Sequence, residues 1–170
     1  MPFDALPDHA RLWLLALEHA PGTAAEAQLH HGLGEIIGPW RHKGQAYQGA
    51  FALLQRQIIA VAEPTLAAQP SGCAIDGMLR KIERLAGQLA LPLVDPADTV
   101  LVRLGAELRA FPKAELDALL ADGTLTAATP VLDLALYTVG DLRAGKLETP
   151  LHATWIGRKF KIPALQPSAE

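Results

Sequence analysis

Cysteine is all but absent from this chain: Cys73 stands alone among 170 residues. A lone thiol closes no internal disulfide, so nothing in the cysteine count argues for an oxidising compartment. Asparagine is missing altogether, while Ala and Leu dominate and Arg outnumbers Lys. That bias is expected of a GC-rich bacterial genome, and loss of Asn is tolerated where deamidation is a hazard. Charge is sparse as well. Charged residues make up 19% of the chain and the net charge is −3, which neither demands nor forbids a nucleic-acid partner. No apolar run reaches the ~18 residues that a membrane-spanning helix needs. The opening stretch carries Asp4 and Asp8 before any basic residue, and its apolar run, Leu12 to Leu17, is too short for a secretory signal. These absences lead to the expectation of a cytoplasmic protein that does not engage a membrane.

What is present is core-forming material. Half the residues are hydrophobic, enough for a packed core and unlike a disordered chain. The length fits one domain, or one domain with an appendage. "RLWLLALE" (11–18) is short and bounded by turn signals, which favours a buried strand. In the next segment Thr23 and Glu26 have capping-box spacing. Leu29, Leu33, Ile36, Ile37 and Trp40 then fall on one helical face, with Pro39 as the stop. Residues 47–54 and 58–63 read as two strands joined by a tight turn at Gln55 and Arg56. A second helix follows, its stripe formed by Ile75, Met78, Leu79, Ile82, Leu85 and Leu89. Beyond "ALPLVDPAD", a hairpin is expected to turn at Gly105, and a short helix to open at Pro112 and close at Gly123. A strand is expected over "PVLDLALYTVGDL", then a turn or short helix over "ETPLHATWIGRKF", then a loose tail.

The order β-α-β-β-α followed by β-β-α-β describes an α+β protein. Two long helices would lie on one face of an antiparallel sheet, as in ferredoxin-like folds, with a β-rich C-terminal extension. On this reading residues 1–92 form the core, 93–160 the extension and 161–170 the tail.

Cys73 occupies the start of the second helix. With Ser71 as N-cap, it is the second helical residue, beside unpaired amide N–H groups and the positive end of the helix dipole, a setting that favours thiolate. At 100° per residue it points away from Ile82 and shares the polar face with Gly77, Arg80 and Arg84. Arg80 would reinforce the effect by folding back toward the N-terminus, and Asp76 would oppose it or accept a proton. The plainer reading is a small residue that fits a helix start.

The segment "PSGCAIDGMLRKI", together with "PWRHKG" and "TWIGRKF", resembles a family of small uncharacterised bacterial proteins. Its members carry a Trp, a His-Gly pair, Ser-Gly-Cys-Ser-Ile-Asp and a closing Trp-x-x-Arg, and some are labelled "ABC transporter ATPase". Ser71, Gly72, Cys73, Ile75 and Asp76 match the central motif, and Trp155 and Arg158 the last. Ala74 replaces the second Ser, and Lys43 stands in the His position with His42 one residue early. The family brings no established activity. No G-x-x-x-x-G-K-[ST] string exists here, so ATP hydrolysis by a P-loop is rejected. "GLGEIIG" (32–38) lies inside a helical apolar pattern and follows no strand.

His31 and Glu35 have a metal-compatible spacing, but no further ligands complete a zinc site, so no metal or cofactor is expected. "TWIGRKFKIP" interleaves Trp155 and Phe160 with Arg158, Lys159 and Lys161, a pattern able to stack on bases and neutralise phosphates. It is short, and such ends more often dock their aromatics in the core, so nucleic acid is not the expected partner. Glu115, Asp117 and Asp122 read as a solvated face. There is no G-x-S-x-G elbow.

Two functions remain. One is a cytoplasmic binding or adaptor protein of unknown partner, open to self-association, whose contact surface is an apolar sheet face or the Trp155–Arg158 end. The other is a thiol-dependent enzyme or redox-responsive protein. It would use Cys73, with Ser71, Gly72 and the helix-start amides forming an anion or oxyanion site and Asp76, Arg80 or Arg158 assisting.

Overall fold

A computed structural model describes residues 3–42, 45–64 and 72–164. The chain divides into two compact units, Met1–Val94 with Leu134–Gly145, and Asp95–Asp133 with Lys146–Glu170. Leu134–Gly145 groups with the first unit although the stretches on either side of it belong to the second.

The first unit runs β1 (Arg11–Ala16), α1 (Thr23–Ile37), β2 (Arg41–His42), β3 (Gln45–Ala46), β4 (Ala50–Leu54), β5 (Ile58–Glu63) and α2 (Gly72–Gln88). β5 lies between β1 and β4, antiparallel to both. Strand alternation places Trp13, Leu15, Phe51, Leu53, Ile59 and Val61 on one face. All of them pack in one cluster with Leu29, Leu33 and Ile37 of α1 and Met78, Ile82 and Ala86 of α2. Both helices therefore cover the same face of the sheet, as the periodicity implies. The strand order and directions are those of a split βαβ unit. Among the described residues no fourth strand joins this sheet. The free edge of β1 carries two isolated bridges instead, Leu17 to Leu93 and Arg11 to Thr138.

The turn between β4 and β5 falls where the sequence puts it. Gln55 and Arg56 hold φ of 51° and 59°, the double left-handed geometry of a tight hairpin. Neither residue favours that region, and the Arg56 side chain is tied down. It donates to Glu26 Oε2 at 2.9 and 3.0 Å and to the Pro21 carbonyl at 3.1 Å. The capping box is a correction: Gly22, in extended conformation, caps α1 without a side-chain bond, and Glu26 is engaged by Arg56 rather than by the helix start. The glycines of "GLGEIIG" do lie in the α1 region, and a Cβ at Gly32 would stand 2.6 Å from the Leu85 side chain. Gly32 thus lets α2 approach α1 closely.

The second unit contains β6 (Thr99–Leu104), β7 (Glu107–Pro112), a single 3-10 turn (Lys113–Glu115), α3 (Leu116–Ala121) and β8 (Pro130–Leu132). After α4 (Val139–Arg143), which belongs to the first unit, come β9 (Glu148–Pro150), a 3-10 turn (Leu151–Ala153) and α5 (Trp155–Lys159). The four strands form a sheet of order β7-β6-β8-β9, all antiparallel. Gly105 (φ +61°) turns the β6–β7 hairpin and Gly123 (φ +79°) follows α3, both as expected. The strand expected over 130–142 is a correction. It stops at Leu132, and Val139–Arg143 is helical because Thr138 caps it by accepting from Asp141 N. The pairing of β9 with β8 was not expected either, since three residues carry too little alternation to register as a strand.

Candidate functional site

The residues matched to the closing Trp-x-x-Arg lie on α5, a helix of five residues held almost entirely by its neighbours. Thr154 caps it: its Oγ1 accepts from Ile156 N at 3.2 Å and donates to the Leu151 carbonyl at 2.7 Å. Ile156 and Leu151 are fully buried among Val100, Val102, Leu116, Leu125 and Val131. With Ile156 as the inward anchor, Trp155 and Arg158, three positions apart, fall on one side of the helix. Both line a cleft of about 320 Å³ whose other walls are Val131, Leu132, Asp133, Thr149, Ala153 and Thr154.

The charges around this cleft are arranged distinctly. Lys113 donates to the carbonyls of Pro96 and Ala97 at 2.8 and 2.7 Å, and those bonds station its ammonium 5.5 Å from the centre of the Trp155 ring. Trp155 is nonetheless 40% exposed, one of two large hydrophobic side chains so placed among the described residues. The Arg158 side chain makes no hydrogen bond or ion pair among the described residues and is exposed to solvent. The strands beneath are clamped by Arg103, which donates to both carboxylate oxygens of Glu148 at 2.9 and 2.5 Å; that bond holds the Arg103 guanidinium above its ordinary pKa. The basic-aromatic segment thus separates. Phe160 packs into the cluster and Trp155 does not.

The other candidates lie in the first unit. Gly72 opens α2, and Cys73 is exposed on its first turn. Ser71, the expected N-cap, lies outside the described residues. Asp76 is exposed too, and neither its carboxylate nor Cys73 Sγ makes a hydrogen bond or ion pair among the described residues. Arg80 does fold back toward the helix start, but its Nε stops at the Asp76 carbonyl, 3.2 Å away. That is one turn short of Cys73.

No known protein family, curated protein or solved structure matches this chain. Chemistry has to be read from the residues themselves. No helix among the described residues is long and apolar enough to cross a membrane. None of the described His, Cys, Asp and Glu residues gather in a set of three able to hold a metal ion.

One polar cluster is legible in the structure and was not singled out from the sequence. Glu63 ends β5 with 1% of its surface exposed, on the same face as Ile59 and Val61. Strand parity carried that signal, since a carboxylate in phase with core residues is unusual. Nearby, Tyr47 is 5% exposed and its Oη has no hydrogen-bond partner among the described residues. The Tyr47 ring lies 4.9 Å from Trp40, whose indole donates to the Ala74 carbonyl at 3.3 Å. The Trp of "PWRHKG" and the start of α2, far apart in the chain, therefore meet. Burial, and then the negative charge of Glu63, push the Tyr47 phenol above its ordinary value.

A folded-state pKa above the unfolded value of ~10 means that the native chain holds the phenolic proton more tightly. That contribution to stability is intact below pH ~10 and lost as pH rises through the folded value. Tyr47→Phe is expected to remove this alkaline loss. Because the hydroxyl is buried without a partner, the variant should also gain about 1 kcal/mol at pH 7. Urea midpoints at pH 7 and at pH ~10.5 check both, and a large loss at pH 7 would contradict the second.

Proposed function

We propose that this chain is a cytoplasmic, non-enzymatic binding domain whose contact surface is the Trp155–Arg158 cleft. The observation that carries this reading is the pairing, in one concave site, of a solvent-exposed indole with a guanidinium that has no internal partner among the described residues. Trp and Arg are the side chains that most often dominate binding energy, because each combines a large contact area with directional polar groups. The cleft sits at the small end of ligand sites, which run from ~300 to ~1,000 Å³. The site is also held firmly. Thr154, Ile156 and the β8–β9 pairing fix the backbone that carries both residues before any ligand arrives, which lowers the entropy lost on binding.

Thiol chemistry at Cys73 draws less support. One route to an active thiol is a base within hydrogen-bond reach, and Sγ has no such contact among the described residues.

The test is a fragment screen on the isotope-labelled full chain, followed by NMR. Small aromatic and polar fragments are expected to shift the Trp155 indole N–H and the backbone signals of Asp133, Thr149 and Arg158. Trp155→Ala should weaken those hits at least ~10-fold, as loss of about 1.4 kcal/mol of contact does. If fragments perturb only other surfaces, the cleft is not a binding site.

A further inference from the structure

We propose that the Trp155–Arg158 cleft takes a short peptide segment in which a carboxylate side chain lies next to an apolar one. This rests on the reading of the cleft as a binding site and names its occupant. The choice follows from charge. The exposed Arg158 guanidinium, without a partner among the described residues, presents its N–H groups in a planar fork that matches a carboxylate bidentately. Part of the wall is of a different kind: beside the polar Asp133, Thr149 and Thr154, Val131, Leu132 and Ala153 with the Trp155 ring form an apolar surface suited to one side chain.

Asp133 decides between an acidic peptide and a phosphate ligand. It lines the same cleft as Arg158, so a dianionic phosphate placed there would meet a like charge. A peptide side chain brings a single negative charge to Arg158 where a phosphate brings up to two, so the repulsion from that wall is smaller. The net charge of −3 works in the same direction, since it gives a polyphosphate chain no long-range attraction. Volume agrees as well. About 320 Å³ holds one or two side chains, not a run of nucleotides.

The test titrates three probes into the labelled full chain: acetyl-Leu-Glu-amide, acetyl-Leu-Gln-amide and uridine monophosphate. The Glu peptide is expected to shift the Trp155 indole and Arg158 Nε–H signals, and the Gln peptide to bind at least ~10-fold more weakly. In Arg158→Gln the two peptides should become equivalent, while the unperturbed spectrum of the rest of the chain reports that it is folded. Equal binding of both peptides to the native chain would overturn the carboxylate assignment and leave the cleft a binding site. Tighter binding of uridine monophosphate than of the Glu peptide would overturn the peptide assignment. If fragments occupy the cleft and neither peptide does, the occupant is wrong; if nothing occupies it, the binding reading has failed as well.

Discussion

Gly157→Ala is expected to cost the second unit about 3 kcal/mol or more, a large effect for one added methyl group. A Cβ at position 157 would stand 2.1 Å from the His152 carbonyl oxygen and 2.5 and 2.6 Å from the His152 C and Cα. These are backbone atoms, and they have little freedom to move. His152 N donates to the Ala127 carbonyl, His152 Nδ1 lies 3.0 Å from the same oxygen, and Leu151 N donates to Thr129. Gly157 itself accepts from Ile162 N at 2.9 Å. Relief would require α5 to swing out and pull Ile156 from the core. The expected result is a lowered midpoint in urea together with a displaced Trp155 indole signal, so stability and the cleft should fail together. Gly77→Ala is the control. Gly77 lies mid-way along α2, where a Cβ meets nothing within 4 Å, and that change should stabilise by about 0.5 to 1 kcal/mol. A Gly157→Ala chain as stable as the parent would show that the 151–157 turn can relax, and that the cleft is less firmly held than argued above.

Ile82→Ala is expected to cost about 3 to 4 kcal/mol in the first unit. Ile82 is fully buried near the middle of α2, in the cluster that joins α1, α2 and the sheet face carrying Ile59 and Val61. Three carbons are lost, and the close approach of α2 to α1 at Gly32 leaves little slack for the walls to collapse into the space. With a urea dependence of about 2 kcal/mol per molar, the midpoint should fall by about 1.5 to 2 M. Indole signals separate the two units here as well. Trp13 and Trp40 belong to the affected cluster, while Trp155 belongs to the other unit and should unfold at its usual midpoint if the units melt independently. A loss below about 1 kcal/mol would mean that Ile82 is packed less tightly than its burial indicates.

Much of the fold was legible from local chemistry, and the exceptions share a cause. Period and length are local properties, so α1, α2, the β4–β5 turn and the Gly105 hairpin fall where the residues place them. β8, β9 and the Thr138–Arg143 stretch were misread or missed because three-residue strands have no usable period. Their state depends on partners, Val131 against Val102 and Thr149, and Thr138 against Arg11. The capping box failed for a related reason. Glu26 had a distant competitor in Arg56, thirty positions away, and an ion pair won the carboxylate.

The candidate site divides along the same line. The Trp155–Arg158 pair and the Cys73 helix start were visible as patterns, and the 180° separation of Cys73 from Ile82 correctly implied one exposed and one buried residue. The sequence by itself determined the α+β class, the faces of the two long helices, and the absence of a P-loop or a cysteine-based zinc set, because each follows from residue type and spacing. Tertiary structure alone decided that Trp155 stays in solvent while Phe160 packs against the core, and that Arg158 has no partner among the described residues. It also decided that Tyr47 and Glu63 share a buried setting. Those outcomes depend on which surfaces remain once the strands have paired, and burial and charge pairing are set by atoms distant in sequence.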